Sequence, residues 1–139
     1  MTPVRGLANR RALKRAGRAG ARPVALLGHT GRRSGRVHVT PVAAWLNGEV
    51  IVVSLTFGNQ TDWVRNVVAA GRCSIRVDGR DYEATHPEFL GRAQARELYR
   101  PVTSRMERAS FRLLGIRQFM RLHAMPVAPD RANRAASTG

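Results

Sequence analysis

Between Gly28 and Pro41 the chain reads GHTGRRSGRVHVTP, a stretch in which Arg32, Arg33 and Arg36 surround Ser34 and lie between Gly31 and Gly35. Guanidinium groups make bidentate, charge-assisted bonds to oxyanions, and a serine hydroxyl adds a donor. Glycines let a backbone curl so that successive N–H groups converge on an anion. The spacing matches neither G-x-x-x-x-G-K-[ST] nor G-x-G-x-x-G, so neither standard nucleotide loop is present. Two readings stay open on spacing alone: an anion-binding turn, or an exposed hairpin with solvated arginines. A second stretch, Leu55-Thr56-Phe57-Gly58 followed by Asp62-Trp63-Val64-Arg65-Asn66-Val67, carries a different chemistry. Gly58 at a strand end lets a flat ligand approach the backbone. Trp63 and Asn66, three residues apart, share a helix face and offer an aromatic plane beside an amide that donates and accepts. That pairing suits a heterocycle with imide groups; the alternative is a core tryptophan beside a capping or surface asparagine.

Other catalytic constellations are missing. His29, His38, His86 and His123 have no metal-ligand spacing, and Cys73 stands alone in a strand pattern, so no metal site is expected. No Ser/His/Asp or Cys/His set emerges, because few acids lie near any nucleophile.

The elements that must position these stretches follow from periodicity. Val24 to Leu27 is a short apolar strand. Val37 to Leu46 alternates, with Val37, Val39, Pro41, Ala43 and Trp45 on one side and His38, Thr40, Val42 and Ala44 on the other. Asn47-Gly48 predicts a type I′ hairpin turn, and Glu49 to Leu55 the return strand, apolar on both faces as in a barrel. Thr61 or Asp62 starts a helix that Gly71 ends. Cys73 to Val77 and Tyr82 to Thr85 flank a second hairpin at Asp78-Gly79. Helical stretches from about Gly91 to Leu98 and Val102 to Leu114, broken at Pro101, precede a last strand from Ile116 to Met125. Six strands with two tight hairpins and no βαβ alternation predict an α+β, mainly β fold: a split barrel of mostly antiparallel strands with flanking helices.

The formal charge of +15 is unevenly placed. Residues 1–22 carry seven basic side chains and no acid, and read as a basic arm, flexible or weakly helical, with peripheral contact to an anionic membrane as its sharper interpretation. Residues 126–139 read as a disordered tail, leaving 23–125 as the folded domain. No apolar run approaches the roughly 20 residues of a membrane span, and no secretory apolar region follows the basic N-terminus. With a single cysteine, a cytoplasmic protein is expected. Nucleic-acid binding is not expected: eight aromatics, several in apolar contexts, form no basic–aromatic sheet face.

Taken together, the pattern G-R-R-S-G-R-x-x-x-T-P, a strand, and then S-x-x-x-G-x-x-x-D-W-x-x-N-V resembles the deazaflavin (F420)-dependent nitroreductase family, over roughly residues 23–125. The resemblance implies a split β-barrel related to the flavin-binding barrels. It implies that Arg32, Arg33, Ser34, Gly35 and Arg36 bind the phosphate and acidic tail of coenzyme F420, and that Thr40 and Pro41 lie beside its ring system. Val53, Ser54, Thr56, Phe57, Gly58, Trp63 and Asn66 would line the deazaflavin pocket. Ser54 and Thr56 would polarise an acceptor oxygen as candidate catalytic hydroxyls. The implied activity is hydride transfer to a small quinone, nitroaromatic or enone-like acceptor by a monomer or homodimer. The chain departs from the family where Thr56 stands in place of a frequent lysine, and where no tyrosine follows Trp63; Tyr99 is the candidate for the vacated substrate side. The rival expectations are a non-catalytic barrel holding FMN, haem or a fatty acid, and a basic membrane-surface or nucleic-acid module.

Overall fold

The computed structural model describes residues 24–127; the basic arm at 1–22 and the tail beyond Val127 lie outside the described residues. Six strands, β1 (Val24–Thr30), β2 (Val37–Asn47), β3 (Val50–Ser54), β4 (Arg72–Val77), β5 (Arg80–Gly91) and β6 (Gln118–Pro126), close into an antiparallel barrel in the order β1-β2-β3-β6-β5-β4. Helix α1 (Asp62–Ala70) follows β3, and helices α2 (Arg92–Tyr99) and α3 (Arg105–Leu113) lie between β5 and β6, joined by a 3₁₀ turn at Arg100–Val102 that absorbs Pro101.

The alternation of β2 sorts its residues between two cores. Val42 and Ala44 point into the barrel with Leu27, Ile51, Val53, Ile75, Met120 and Leu122. On the outside, Trp45 joins Val52, Phe119, Tyr99 and Phe111 in a second apolar layer that seats α2 and α3. Phe111 meets Trp45 and Tyr99 edge-on, at ring separations of 5.2 and 5.0 Å, the arrangement aromatic quadrupoles favour. β3 is apolar on both faces because it serves both layers. Tyr99, 4% exposed, belongs to this second core, and the expectation that it faces a substrate is corrected.

The turns show which local rules hold. Asp78 and Gly79 both take positive φ, +51° and +79°, as a type I′ turn requires. At the first hairpin Asn47 pairs with Val50, so the two-residue turn is Gly48-Glu49, with Gly48 at φ +62° in the type II′ position. Asn47 is freed to donate from Nδ2 to the Leu98 carbonyl at 2.8 Å, pinning the end of α2. β5 runs six residues past the expected Thr85, because a register shift between Thr85 and Glu88 takes up His86 (φ +56°) and Pro87. A bulge is where a sheet tolerates a proline. The last strand likewise extends to Pro126, and the Val127 N–H bonds to the Asp81 carbonyl, so the tail reading does not hold for these two residues.

Candidate functional site

The predicted site residues separate into three environments. The first is a cleft of about 350 Å³ where the end of β3 meets β2 and the start of α1. It gathers Pro41, Ser54, Thr56, Phe57, Gly58 and Trp63, six of the residues expected around a ring. Gly58, at φ +83°, turns the chain away from β3 toward α1, a conformation that a side chain would strain. Phe57 stands 85% exposed beside the opening. Ser54 Oγ lies 3.4 Å from Thr56 Oγ1, so one hydroxyl can accept from the other and keep its own hydrogen free to donate. Among the described residues that line the cleft, none titrates near neutral pH.

A further residue of this cleft was not predicted. Thr61 occupies the N-cap of α1, yet its side chain makes no capping bond, and its Oγ1 is buried without a partner. The sequence signal existed, since Thr before a helix is conspicuous, but it pointed to a cap. A buried hydroxyl lacking a partner costs about 1–3 kcal/mol, and a polar ligand atom in the cleft would satisfy it. Thr61→Val is therefore expected to leave the melting temperature unchanged or raised. The same change should weaken a ligand that bonds the hydroxyl by roughly 5- to 10-fold. A clear fall in melting temperature would show the hydroxyl satisfied within the fold.

The second environment is a buried polar chain, and three of the predicted residues lie away from the cleft. Asn66 (5% exposed) does not line the cleft. Its Oδ1 accepts from the Arg32 backbone N–H at 3.1 Å and from the Arg32 guanidinium at 2.8 Å. Its Nδ2 reaches His29 Nδ1 at 3.0 Å, and His29 Nε2 reaches Thr40 Oγ1 at 3.0 Å. Thr40 thus faces the barrel end and not the cleft, and Val53 is wholly enclosed in the barrel. Arg32 also lies 3.5 Å from Asp62. Thr40 and Val53 both lie on the inner side of their strands, where Thr40 meets His29 and Val53 packs among Leu27, Ile51 and Met120.

This chain fixes the protonation of His29. The two Arg32 donors hold Asn66 with its oxygen outward, so its amide must donate to His29 Nδ1. The ring proton then sits on Nε2 and is donated to Thr40. An imidazolium would set Nδ1–H against that amide. Burial first, and the charge of His38 second, push the His29 pKa down to about 4, with Asp62 opposing. Because the folded value lies below the ordinary 6.5, the unfolded chain binds the proton first as pH falls. Stability contributed by neutral His29 is complete above pH 6.5 and is lost on acidification toward pH 4, by about 3 kcal/mol at most. Urea unfolding at pH 7 and pH 4.5 should show this loss in the parent and much less in His29→Gln; equal losses would contradict it.

The third environment is the turn from Gly31 to Arg36. Gly31 N–H bonds to the Arg36 carbonyl at 2.7 Å, Gly35 N–H to the Gly31 carbonyl at 2.9 Å, and Arg36 N–H to Ser34 Oγ at 3.2 Å. With Arg32 N–H held by Asn66, the N–H groups of Gly31, Arg32, Gly35 and Arg36 are all engaged within the protein. Gly35, at φ +71°, makes the turn, and Ser34 braces it. The exposed Arg33 and Arg36 have no carboxylate partner among the described residues. Exposed Val37 and Val39 form an apolar track on the outer face of β2 from this turn to Pro41 in the cleft. Cys73 takes no part: burial pushes its thiol up to about 12, so no thiolate forms at neutral pH.

The candidate site is thus a cleft at a strand end of a closed antiparallel barrel, with hydroxyls within it and exposed arginines along one rim. Residues 7–112 match the family model described as F420H(2)-dependent quinone reductase, and the chain belongs to that family. It is accordingly an F420-dependent reductase. Among solved structures, it is similar to an F420-H2 dependent reductase, FDR-A, at 16% identity over 73% of this chain and 95% of the other, with a TM-score of 0.56. It is also similar to HutZ, the heme storage protein of Vibrio cholerae, at 16% identity, 77% and 83% coverage and a TM-score of 0.53. A FAD-binding protein of Mesorhizobium loti gives 17% identity, 76% and 83% coverage and a TM-score of 0.50. At these identities the structures bear on the fold alone. No curated protein matches the sequence.

Proposed function

We propose that this reductase holds the F420 ring system in the cleft between Pro41, Ser54, Thr56, Phe57, Gly58 and Trp63, and passes reducing equivalents to a quinone, nitroaromatic or enone-like acceptor. The observation that carries the reading is the cleft itself, apolar walls around the Ser54–Thr56 hydroxyl pair and the unpartnered Thr61 Oγ1. About 350 Å³ suits a planar ring system but not the whole cofactor. The phosphodiester and acidic tail would then run along the Val37–Val39 track to Arg33 and Arg36, whose charges remain available. Arg32 serves differently: its bonds to Asn66 and Asp62 tie the arginine turn to the first turns of α1, which also carries Trp63.

Bound reduced F420 supplies the hydride, and the chain supplies position and electrostatics. Trp63 and Pro41 give flat apolar surfaces, Phe57 covers the mouth, and Thr61 Oγ1 takes a polar atom of the ring system. The Ser54–Thr56 pair donates a hydrogen bond to an acceptor oxygen as negative charge develops there. Lacking a titrating residue, the cleft favours acceptors whose reduction needs no general acid from the protein. Anaerobic assays with reduced F420 and a simple quinone, a nitroaromatic and a cyclic enone test this. Turnover of at least one, fastest with the quinone, is expected. F420 binding without oxidation by any of the three would overturn the acceptor claim, and co-purified FMN, haem or fatty acid in the cleft would overturn the cofactor placement.

A further inference from the structure

Helix α3 has three faces. Phe111 points into the second core, and Glu107 is turned the same way, accepting from Trp45 Nε1 at 2.5 Å and from the Ser104 N–H at 3.3 Å. Arg105, Arg108 and Arg112, at i, i+3 and i+7, form a stripe facing Arg92 and Arg96 of α2 across a groove of about 590 Å³. The described residues lining that groove include no carboxylate, and its floor is Tyr99 and Phe111. Two of the arginines are braced by backbone carbonyls, Arg92 on Ile116 and Arg108 on Arg100 and Thr103. No acid pairs with Arg96, Arg105 or Arg112 among the described residues.

The outermost face is apolar. Met106 and Leu113 are seven residues apart and so vertically aligned, and they are 83% and 87% exposed; Leu114 adds a third large side chain at 64%. Large apolar groups at the point farthest from a core, bordered by cations, are the composition of an interfacial helix.

We propose that the α2–α3 face docks on an anionic phospholipid bilayer, with lipid phosphates received in the five-arginine groove and Met106, Leu113 and Leu114 entering the acyl boundary. A bilayer places a phosphate layer directly above hydrocarbon, and this face presents the two complementary surfaces in that order. A nucleic acid offers phosphate without an apolar layer for the leucines. A second copy would bring another arginine-rich face, in a chain of formal charge +15, against the first.

The full chain mixed with vesicles of phosphatidylcholine alone, or of phosphatidylcholine with phosphatidylglycerol, provides the test. Co-sedimentation is expected with the anionic vesicles only. Leu113→Asp and Met106→Asp should each lower the partition coefficient roughly tenfold or more. Both positions are exposed, so the melting temperature and the oxidation of reduced F420 by a soluble acceptor serve as unchanged controls. A Leu113→Trp variant should shift its emission to the blue on anionic vesicles and be quenched by brominated lipid. Binding without that shift would place attachment elsewhere, for example on the basic residues 1–22, and overturn the proposal. So would undiminished binding of Leu113→Asp, a salt-resistant dimer that Leu113→Asp dissolves in the absence of vesicle binding, or DNA binding lost in Arg96→Ala while vesicles are ignored.

Discussion

Asn66→Leu is expected to lower the free energy of unfolding by about 3 kcal/mol, although the side chain touches neither the cleft nor solvent. Leucine keeps the branched shape of asparagine and is the larger of the two, so the loss arises from stranded partners and not from a cavity. The Arg32 N–H and its part-exposed guanidinium lose their acceptor, and the buried His29 Nδ1 loses its donor. Chemical denaturation gives the size, and a loss below about 1 kcal/mol would mean that water replaces Asn66 freely. Asn66→Asp separates geometry from burial. A carboxylate keeps both Arg32 bonds but can only accept from His29, so the imidazole must carry a proton on Nδ1. The His29 pKa, followed by NMR, should then rise from about 4 to above the ordinary 6.5. An unmoved value would refute the assigned tautomer.

The second large effect falls on cofactor affinity. Arg33→Ala and Arg36→Ala should each weaken F420 binding roughly 5- to 10-fold, and together about 30- to 100-fold, at low ionic strength. Both side chains are exposed, so the loss should shrink as salt rises, within a screening length of about 8 Å at physiological ionic strength. Arg32→Ala belongs to a different class. Its guanidinium is already engaged, so its removal should chiefly lower stability, together with Asn66. Arg15→Ala, in the basic N-terminal stretch, should alter neither. Isothermal titration at two salt concentrations distinguishes these cases; salt-independent losses at Arg33 and Arg36 would mean that they act through the fold of the turn.

The contrast between Arg32 and its neighbours shows what the sequence could and could not reveal. Alternation along β2 was readable because the strand serves two apolar layers, and it put Val42 and Ala44 on one side and Trp45 on the other. Gly71 at φ +72° ends α1 as its position implied. The Phe57-Gly58 turn and Trp63 reached the cleft for local reasons: a strand end, a glycine and the first turn of a helix. Asn66 did not, because its partners lie 34 and 37 residues away, and no spacing rule says which of three neighbouring arginines an amide will hold. β5 outruns the expected Thr85 because the bulge at His86 carries the strand past Pro87, which no local periodicity signals. Thr61 was read as a cap because its position fits one; that its hydroxyl turns into the cleft depends on the tertiary path of the 55–61 segment.

Placement of the F420 ring against Trp63 is the claim on which the functional reading rests. Titration of oxidised F420 into the protein, followed by tryptophan emission and repeated with Trp63→Phe, tests it most directly. Saturable quenching with a dissociation constant below about 10 µM is predicted, lost in Trp63→Phe while calorimetry still records binding. Binding that leaves Trp63 emission unchanged, or no binding at all, would contradict it.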